Sequence, residues 1–221
     1  MGSELVPVDP PAVMVPQTAA ARALGAAGVL GGLALLAAFV TDIPPDLNWV
    51  RLVLFDIGAI AVGIAFARRP AAPGAAVALT AGAVIIANAA HLGMTVLSLG
   101  MDRPFAGDFG LVFFLVTGAM WLCDAAFGAV LASRRDLTTG RGGQLGAVAL
   151  ALGSLLAIIG MDRLGLVSPD RDSIFKSLAL LGIFLNGLAW IILGLDVALG
   201  RRAVPPLNES AAPSTATLNE R

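Results

Sequence analysis

Six long apolar runs, separated by polar or proline-containing connectors, make up most of this chain. Three of the polar stretches are arginine doublets, Arg68-Arg69, Arg134-Arg135 and Arg201-Arg202, spaced 66 and 67 residues apart. Each doublet closes an apolar run, and a second run lies between successive doublets. An α-helix needs about 20 apolar residues to cross the ~30 Å of hydrocarbon in a bilayer. The pattern therefore predicts an all-α polytopic membrane protein with six transmembrane helices arranged as three helical hairpins, all doublets on one side. The expected spans are 22–41, 50–67, 75–99, 109–133, 145–164 and 177–200. The second is short for the thickness it must cross. Residues 144 and before, back to the second doublet, read as a polar loop.

Outside the six-helix domain at 22–202, residues 1–21 and 203–221 read as disordered cytoplasmic tails, rich in Pro, Ser and other small or polar residues. The first tail carries Glu4 and Asp9 but no Lys or Arg, so the basic start of a cleavable signal peptide is not expected.

Composition sharpens this picture. Hydrophobic residues make up 57% of the chain and charged ones 13%, against about 25% charged in ordinary soluble domains. A soluble class is thereby excluded. The net charge of -1 says little, because the basic residues are sorted by side. Arg22, the three doublets, Arg141 and Arg221 fall on the face of the tails. Arg51, Arg103, Arg163, Arg171 and Lys176 fall on the other. Basic residues in short loops stay on the cytoplasmic side, so both termini are expected inside, with Arg68, Arg69, Arg134, Arg135, Arg201 and Arg202 as topology anchors. Arginine dominates lysine, and Ala and Gly are abundant, as in a high-GC bacterial genome. The expected location is a bacterial inner membrane. The lipid bilayer is the first partner, with a homo-oligomer or another membrane protein as the second. No basic patch with interleaved aromatics is present, so nucleic acid is not expected. Cys123 is the only cysteine. It allows no internal disulfide and no multi-cysteine metal site.

Five polar residues inside the spans need an explanation: Asp56, Asn88, His91, Asp124 and Asn186. Measured along a helix from the arginine side, Asp56, Asp124, Asn88 and Asn186 lie ~15–22 Å deep, and His91 ~27 Å deep. A mid-membrane carboxylate costs about 2.5–3.5 kcal/mol on insertion scales. Each such group must therefore face protein or water. Asn88 and His91 are three residues apart and share a helix face, which Thr95 extends. A His–Asp pair can exchange a proton near neutral pH. The functional reading is a substrate or proton site at the midplane. The structural reading is a set of interhelical hydrogen bonds that fixes helix register. Both stand at this point. Asp196 lies near the inner end, where it can reach interfacial water.

Other features carry less. Gly25, Gly28 and Gly32 would permit a close helix approach, inside the chain or in a dimer. Trp49 suits the membrane interface, whereas Trp121 and Trp190 lie deep enough to pack. Gly100-Met101-Asp102-Arg103 recurs as Gly160-Met161-Asp162-Arg163, which suggests related hairpins in parallel orientation. One histidine cannot supply two haem ligands. No nucleophile elbow, zinc-protease helix or phosphate-binding glycine loop is present. No metal, no cofactor and no enzymatic activity is expected.

From Asp108 onward, Gly110-Leu111-Val112-Phe113-Phe114, a basic loop, and Leu145-Gly146 opening a short fifth span resemble a family of bacterial six-helix integral membrane proteins whose shared domain has no assigned activity. The resemblance covers about half the chain and rests on mostly apolar residues. It implies six spans and supplies no chemistry. The sequence thus points to a small-solute or ion/proton-coupled transport or binding protein. The alternative is a non-catalytic membrane scaffold or assembly component.

Overall fold

The computed structural model describes residues 13–15, 17–37, 39, 45–69, 74–101, 107–134, 136–164, 173–200 and 202–204. Six helices follow in order: α1 (Ala19–Ala37), α2 (Pro45–Ala67), α3 (Ala75–Ser98), α4 (Gly107–Ser133), α5 (Gly140–Leu164) and α6 (Ser173–Leu199). All six are long and apolar enough to cross a membrane. The chain is a multi-pass membrane protein built from helices.

Most helices start earlier than the sequence reading has them: α1 at Ala19, α2 at Pro45, α4 at Gly107, α5 at Gly140 and α6 at Ser173. α1 starts earlier than residue 22 because Thr18 caps it, its hydroxyl accepting the Ala21 N–H at 3.2 Å. α2 runs 23 residues, longer than its apolar run. It opens on Pro45, a residue suited to the first helical position, where no N–H is needed. α5 opens at Gly140, which takes φ 74°, so the expected loop through residue 144 is already helical. The recurring Gly-Met-Asp-Arg pattern is not matched in structure. Gly100 and Met101 follow the end of α3, whereas Gly160 to Arg163 lie inside α5.

The described residues fall into two units, one holding the six helices and the other two short strands. In the second, β1 (Val13–Val15) pairs antiparallel with β2 (Arg202–Val204), Val13 opposite Val204. The sequence reading has disordered tails over Val13–Val15 and over Ala203 and Val204, with Arg202 as the last residue of the helical domain. The rest of those tails, 1–12 and 205–221, lies outside the described residues.

Within the helical unit each helix packs on its neighbours in sequence, and α6 packs on α1, so the six close into a ring. α2 also touches α6 across the ring. That contact leaves α1 in the groove outside α2 and α6. The larger interior is bounded by α2, α3, α4, α5 and α6. α1 is also the helix whose interior carries no polar side chain. Phe55, Phe66, Phe127, Trp121 and Trp190 fill the inside. Trp190 stacks on Phe127 with ring centroids 6.5 Å apart, and Phe66 meets Phe127 edge-on at 5.6 Å. Leucines and isoleucines such as Leu79, Ile86, Leu115 and Leu199 point outward, where the hydrocarbon of a bilayer would receive them.

Glycine decides how near α1 and α6 can come. A Cβ on Gly25 would lie 2.5 Å from the Gly194 carbonyl oxygen, and one on Gly32 would lie 2.5 Å from that of Gly187. The glycine row of α1 is therefore used within the chain.

Candidate functional site

The polar side chains come from the inward faces of α2, α3 and α4. Asp56 and Asp124 are fully buried, as is Asn88, and His91 is 3% exposed. The i,i+3 spacing on α3 aims Asn88 and His91 the same way. The two then reach in different directions around the ring, His91 to α2 and Asn88 to α4.

His91 Nδ1 sits 3.0 Å from Asp56 Oδ1 and 2.9 Å from Oδ2. The imidazole bisects the carboxylate, a geometry that suits an N–H donating to both oxygens. The Phe113 ring flanks the imidazole with centroids 5.3 Å apart, and Phe55, next to Asp56 in the chain, packs on Trp121 at 5.8 Å. Aromatic rings therefore border this pair.

Asn88 Nδ2 donates to the Val84 carbonyl at 2.9 Å and to Asp124 Oδ1 at 3.2 Å. A carbonyl only accepts, so the bond to Val84 fixes which way round the amide lies. Three buried oxygens of this group have no hydrogen-bond partner among the described residues: Asn88 Oδ1, Asp124 Oδ2 and Thr95 Oγ1. The four residues form one connected site, with two bonded pairs sharing α3.

Asn186, the fifth candidate, is bonded elsewhere. Its Nδ2 meets Ser154 Oγ of α5 at 2.7 Å. Its Oδ1, and Trp190 Nε1 one turn along the same face of α6, lack partners among the described residues. The sequence reading did not single out Ser154. A lone serine in a Gly/Ala-rich span gives too weak a signal.

The arginine side holds a separate polar knot. Arg69 Nη2 donates to Asp196 Oδ2 at 2.9 Å, and its guanidinium lies 4.0 Å from the Phe66 ring centre. The Thr139 N–H donates to Asp196 Oδ1 at 2.6 Å, and the Thr139 hydroxyl reaches the same oxygen. A Cβ on Gly143 would lie 2.6 Å from that oxygen, so the glycine makes room for the carboxylate. Asp196 therefore faces protein, where the sequence suggested interfacial water. It ties the end of α2 to the start of α5 and explains why α5 begins where it does. Arg69 is an ion-pair partner as well as a basic residue of the loop.

The other doublets differ. Arg134 Nε and Nη2 grip both oxygens of Asp136 at 2.9 Å. That fork holds the Asp136 carboxyl below the usual carboxylate range and pushes the Arg134 guanidinium up. Arg68 closes α2 with its N–H on the Ile64 carbonyl at 3.1 Å. Arg135 and Arg201 lie outside the described residues, and Arg202 is described only as part of β2.

The described residues hold no group of three or more His, Cys, Asp or Glu side chains placed to bind a metal. The site can bridge helices, hold or pass a proton through the His91–Asp56 pair, and offer oxygen acceptors to a small ligand. Comparisons with protein-family models, with curated proteins and with solved structures find no match.

Proposed function

We propose that this membrane protein binds, and carries across the bilayer, a proton or a small solute at the Asp56, Asn88, His91 and Asp124 site. The observation that carries the reading is that two bonded polar pairs share one helix deep in the span and still leave buried oxygens without a partner among the described residues. Ionisable groups at that depth are costly to insert and concentrate at transport pathways. In this reading His91 exchanges a proton with Asp56 through Nδ1, and the other ring nitrogen, Nε2, is its second point of exchange. The basic loops favour a bacterial inner membrane with both termini cytoplasmic, in keeping with the resemblance seen from Asp108 onward.

A scaffold reading has its own support. The pairs His91–Asp56, Asn88–Asp124 and Asn186–Ser154 each join two neighbouring helices, as register-setting bonds would.

Reconstitution separates the two. Vesicles with a pH-sensitive dye inside and an imposed potential should acidify or alkalinise faster with wild-type protein than without it. Asp124→Asn and His91→Gln should remove the difference while the protein stays folded and monodisperse. If wild-type vesicles are as tight as protein-free ones to protons and to a panel of small solutes, the scaffold reading stands.

A further inference from the structure

Asp124 and Asn88 are joined by one hydrogen bond and placed for two. Asn88 Nδ2 donates to Asp124 Oδ1 at 3.2 Å. Asn88 Oδ1 and Asp124 Oδ2 are both buried and have no partner among the described residues. Each of these oxygens is one carbon away from the bonded atom of its own group, so both border the bond that already exists. The amide cannot turn over to help, because the Val84 carbonyl accepts from its nitrogen. As a carboxylate, Asp124 has only acceptors to offer, and an amide oxygen only accepts. Two acceptors side by side with no hydrogen between them repel, and buried polar atoms ordinarily have partners.

Charge points to the same place. The helices packed against α4 are α3 and α5. The ionisable residue on α3 is His91, and its Nδ1 faces Asp56. α5 has none between Arg141 at its start and Asp162 near its end, and α4 itself adds Asp108 and Cys123. Opposite Asp124 stands the neutral amide of Asn88. A carboxylate buried at this depth with a neutral partner is costly to insert.

We propose that Asp124 is a proton-binding acid: a proton held on Oδ2 is donated to Asn88 Oδ1, closing a ring of two hydrogen bonds between acid and amide. The proposal rests on the reading of this group as a ligand site and names the proton as the ligand. One hydrogen provides for both orphaned oxygens and removes the charge. Uptake takes a proton from water and forms the O–H bond. Release breaks that bond, returns the proton to water and leaves a carboxylate. Release also leaves the two oxygens facing each other without a hydrogen, so the joint between α3 and α4 is tightest with the proton bound. His91 and Asp56 remain a separate pair on the other side of α3.

The test is infrared spectroscopy of purified full-length protein in detergent at neutral pH. A carboxylic acid has a C=O stretch above the amide and carboxylate bands, and it moves to lower frequency in heavy water. Exposed Asp and Glu are carboxylates at neutral pH and add nothing there. The wild type should show the acid band. Asp124→Asn should lose it and Asp56→Asn should keep it. In Asn88→Ala the band should move to higher frequency, because the Asp124 C=O loses the N–H that Asn88 donates. If Asp124→Asn is not recovered folded, Asn88→Ala decides alone, and a band it leaves unmoved overturns the proposal. So does a band that Asp56→Asn removes and Asp124→Asn leaves. A band that stays in place in heavy water also overturns it, because a hydrogen that never exchanges is not a ligand. A wild type without the band, together with proton flux lost in Asp124→Asn, overturns the bound proton and leaves the transport reading intact. An exchangeable acid band at Asp124 in a protein whose vesicles pass nothing keeps this site and ends the transport reading.

Discussion

One half of the ring is held by backbone closeness and the other by side-chain bonds. Where α6 meets α1 and α5, glycines face glycines: Gly25 against Gly194, Gly32 against Gly187, and Gly153 against Gly182. Along α3 and the first half of α4 the glycines Gly82, Gly93 and Gly118 have open space where a Cβ would go, whereas Gly128, further along α4, belongs to the close-packed side, with a Cβ there 2.6 Å from the Ala151 nitrogen of α5. The joins along α3 are His91–Asp56 and Asn88–Asp124. In lipid the gain from hiding apolar surface is largely absent between helices, so association depends on tight packing or on polar bonds. This chain uses each in a different place. A close-packed wall gives little room for a ligand or for movement. A wall joined by a few polar contacts can rearrange with the occupancy or protonation of those contacts.

The largest effect should come from adding bulk to the close-packed wall. A Cβ on Gly182 would lie 2.4 Å from the Ala157 backbone nitrogen, an atom with no freedom to move aside. Gly182→Val should cost about 1–3 kcal/mol or more from overpacking and reduce the yield of folded protein in thermal and size-exclusion assays. Gly93→Ala is the matched change on the other wall. It should leave the melting temperature unchanged or slightly higher, since alanine favours a helix by about 1 kcal/mol over glycine. If both substitutions behave alike, the two walls are not held differently.

Next in size is the bond between His91 and Asp56. A double-mutant cycle with His91→Gln and Asp56→Asn, read by thermal or denaturant unfolding, should give a coupling of about 1–2 kcal/mol, at the upper end of polar contacts within membranes. The same cycle on Asn186→Leu and Ser154→Ala, across α5 and α6, should give roughly 0.6 kcal/mol, because glycine packing already fixes that pair of helices. Equal couplings at the two places would show that the polar pairs do the same work on both walls.

The helices were legible in the sequence because apolar runs of spanning length have few other uses. The doublets Arg68-Arg69 and Arg134-Arg135 marked the ends of α2 and α4 for the same reason. The helix starts were harder. The opening of α5 depends on Asp196, 57 residues further along, accepting the Thr139 N–H, and no local pattern announces that. Depth counting found Asp56, Asn88, His91, Asp124 and Asn186, because a polar residue stands out in an apolar run. It could not say who bonds whom. Rise along a helix gives height, whereas pairing depends on rotation about each axis and on which helices are neighbours. Asn186 has nearly the depth of Asn88 yet bonds to Ser154, because α5 is its neighbour in the ring. Glycines were the least legible. Gly93 and Gly182 look alike in sequence, and only packing tells the open one from the enclosed one.

The smallest effects concern the two ion pairs that follow the first and second doublets. They differ in burial more than in geometry. Asp196 is inside the protein, 6% exposed, and its carboxylate serves Arg69 and Thr139 together. Asp196→Asn keeps an oxygen for Thr139 but loses the charge facing Arg69, whose head can still turn toward water. A loss of about 1 kcal/mol in thermal unfolding is expected, in the range of one hydrogen bond. Asp136 is exposed, and water and salt screen its bond to Arg134. Its depressed pKa fixes the sign of any pH dependence. Whatever the pair contributes is complete above the ordinary carboxylate value of about 4 and fades as pH falls through the lower folded value. Because the pair is exposed and screened, Asp136→Asn should leave the melting temperature nearly unchanged even at neutral pH, where that contribution is complete. A drop matching that of Asp196→Asn would mean that the loop after α4 is as much a part of the packed structure as the knot at Asp196.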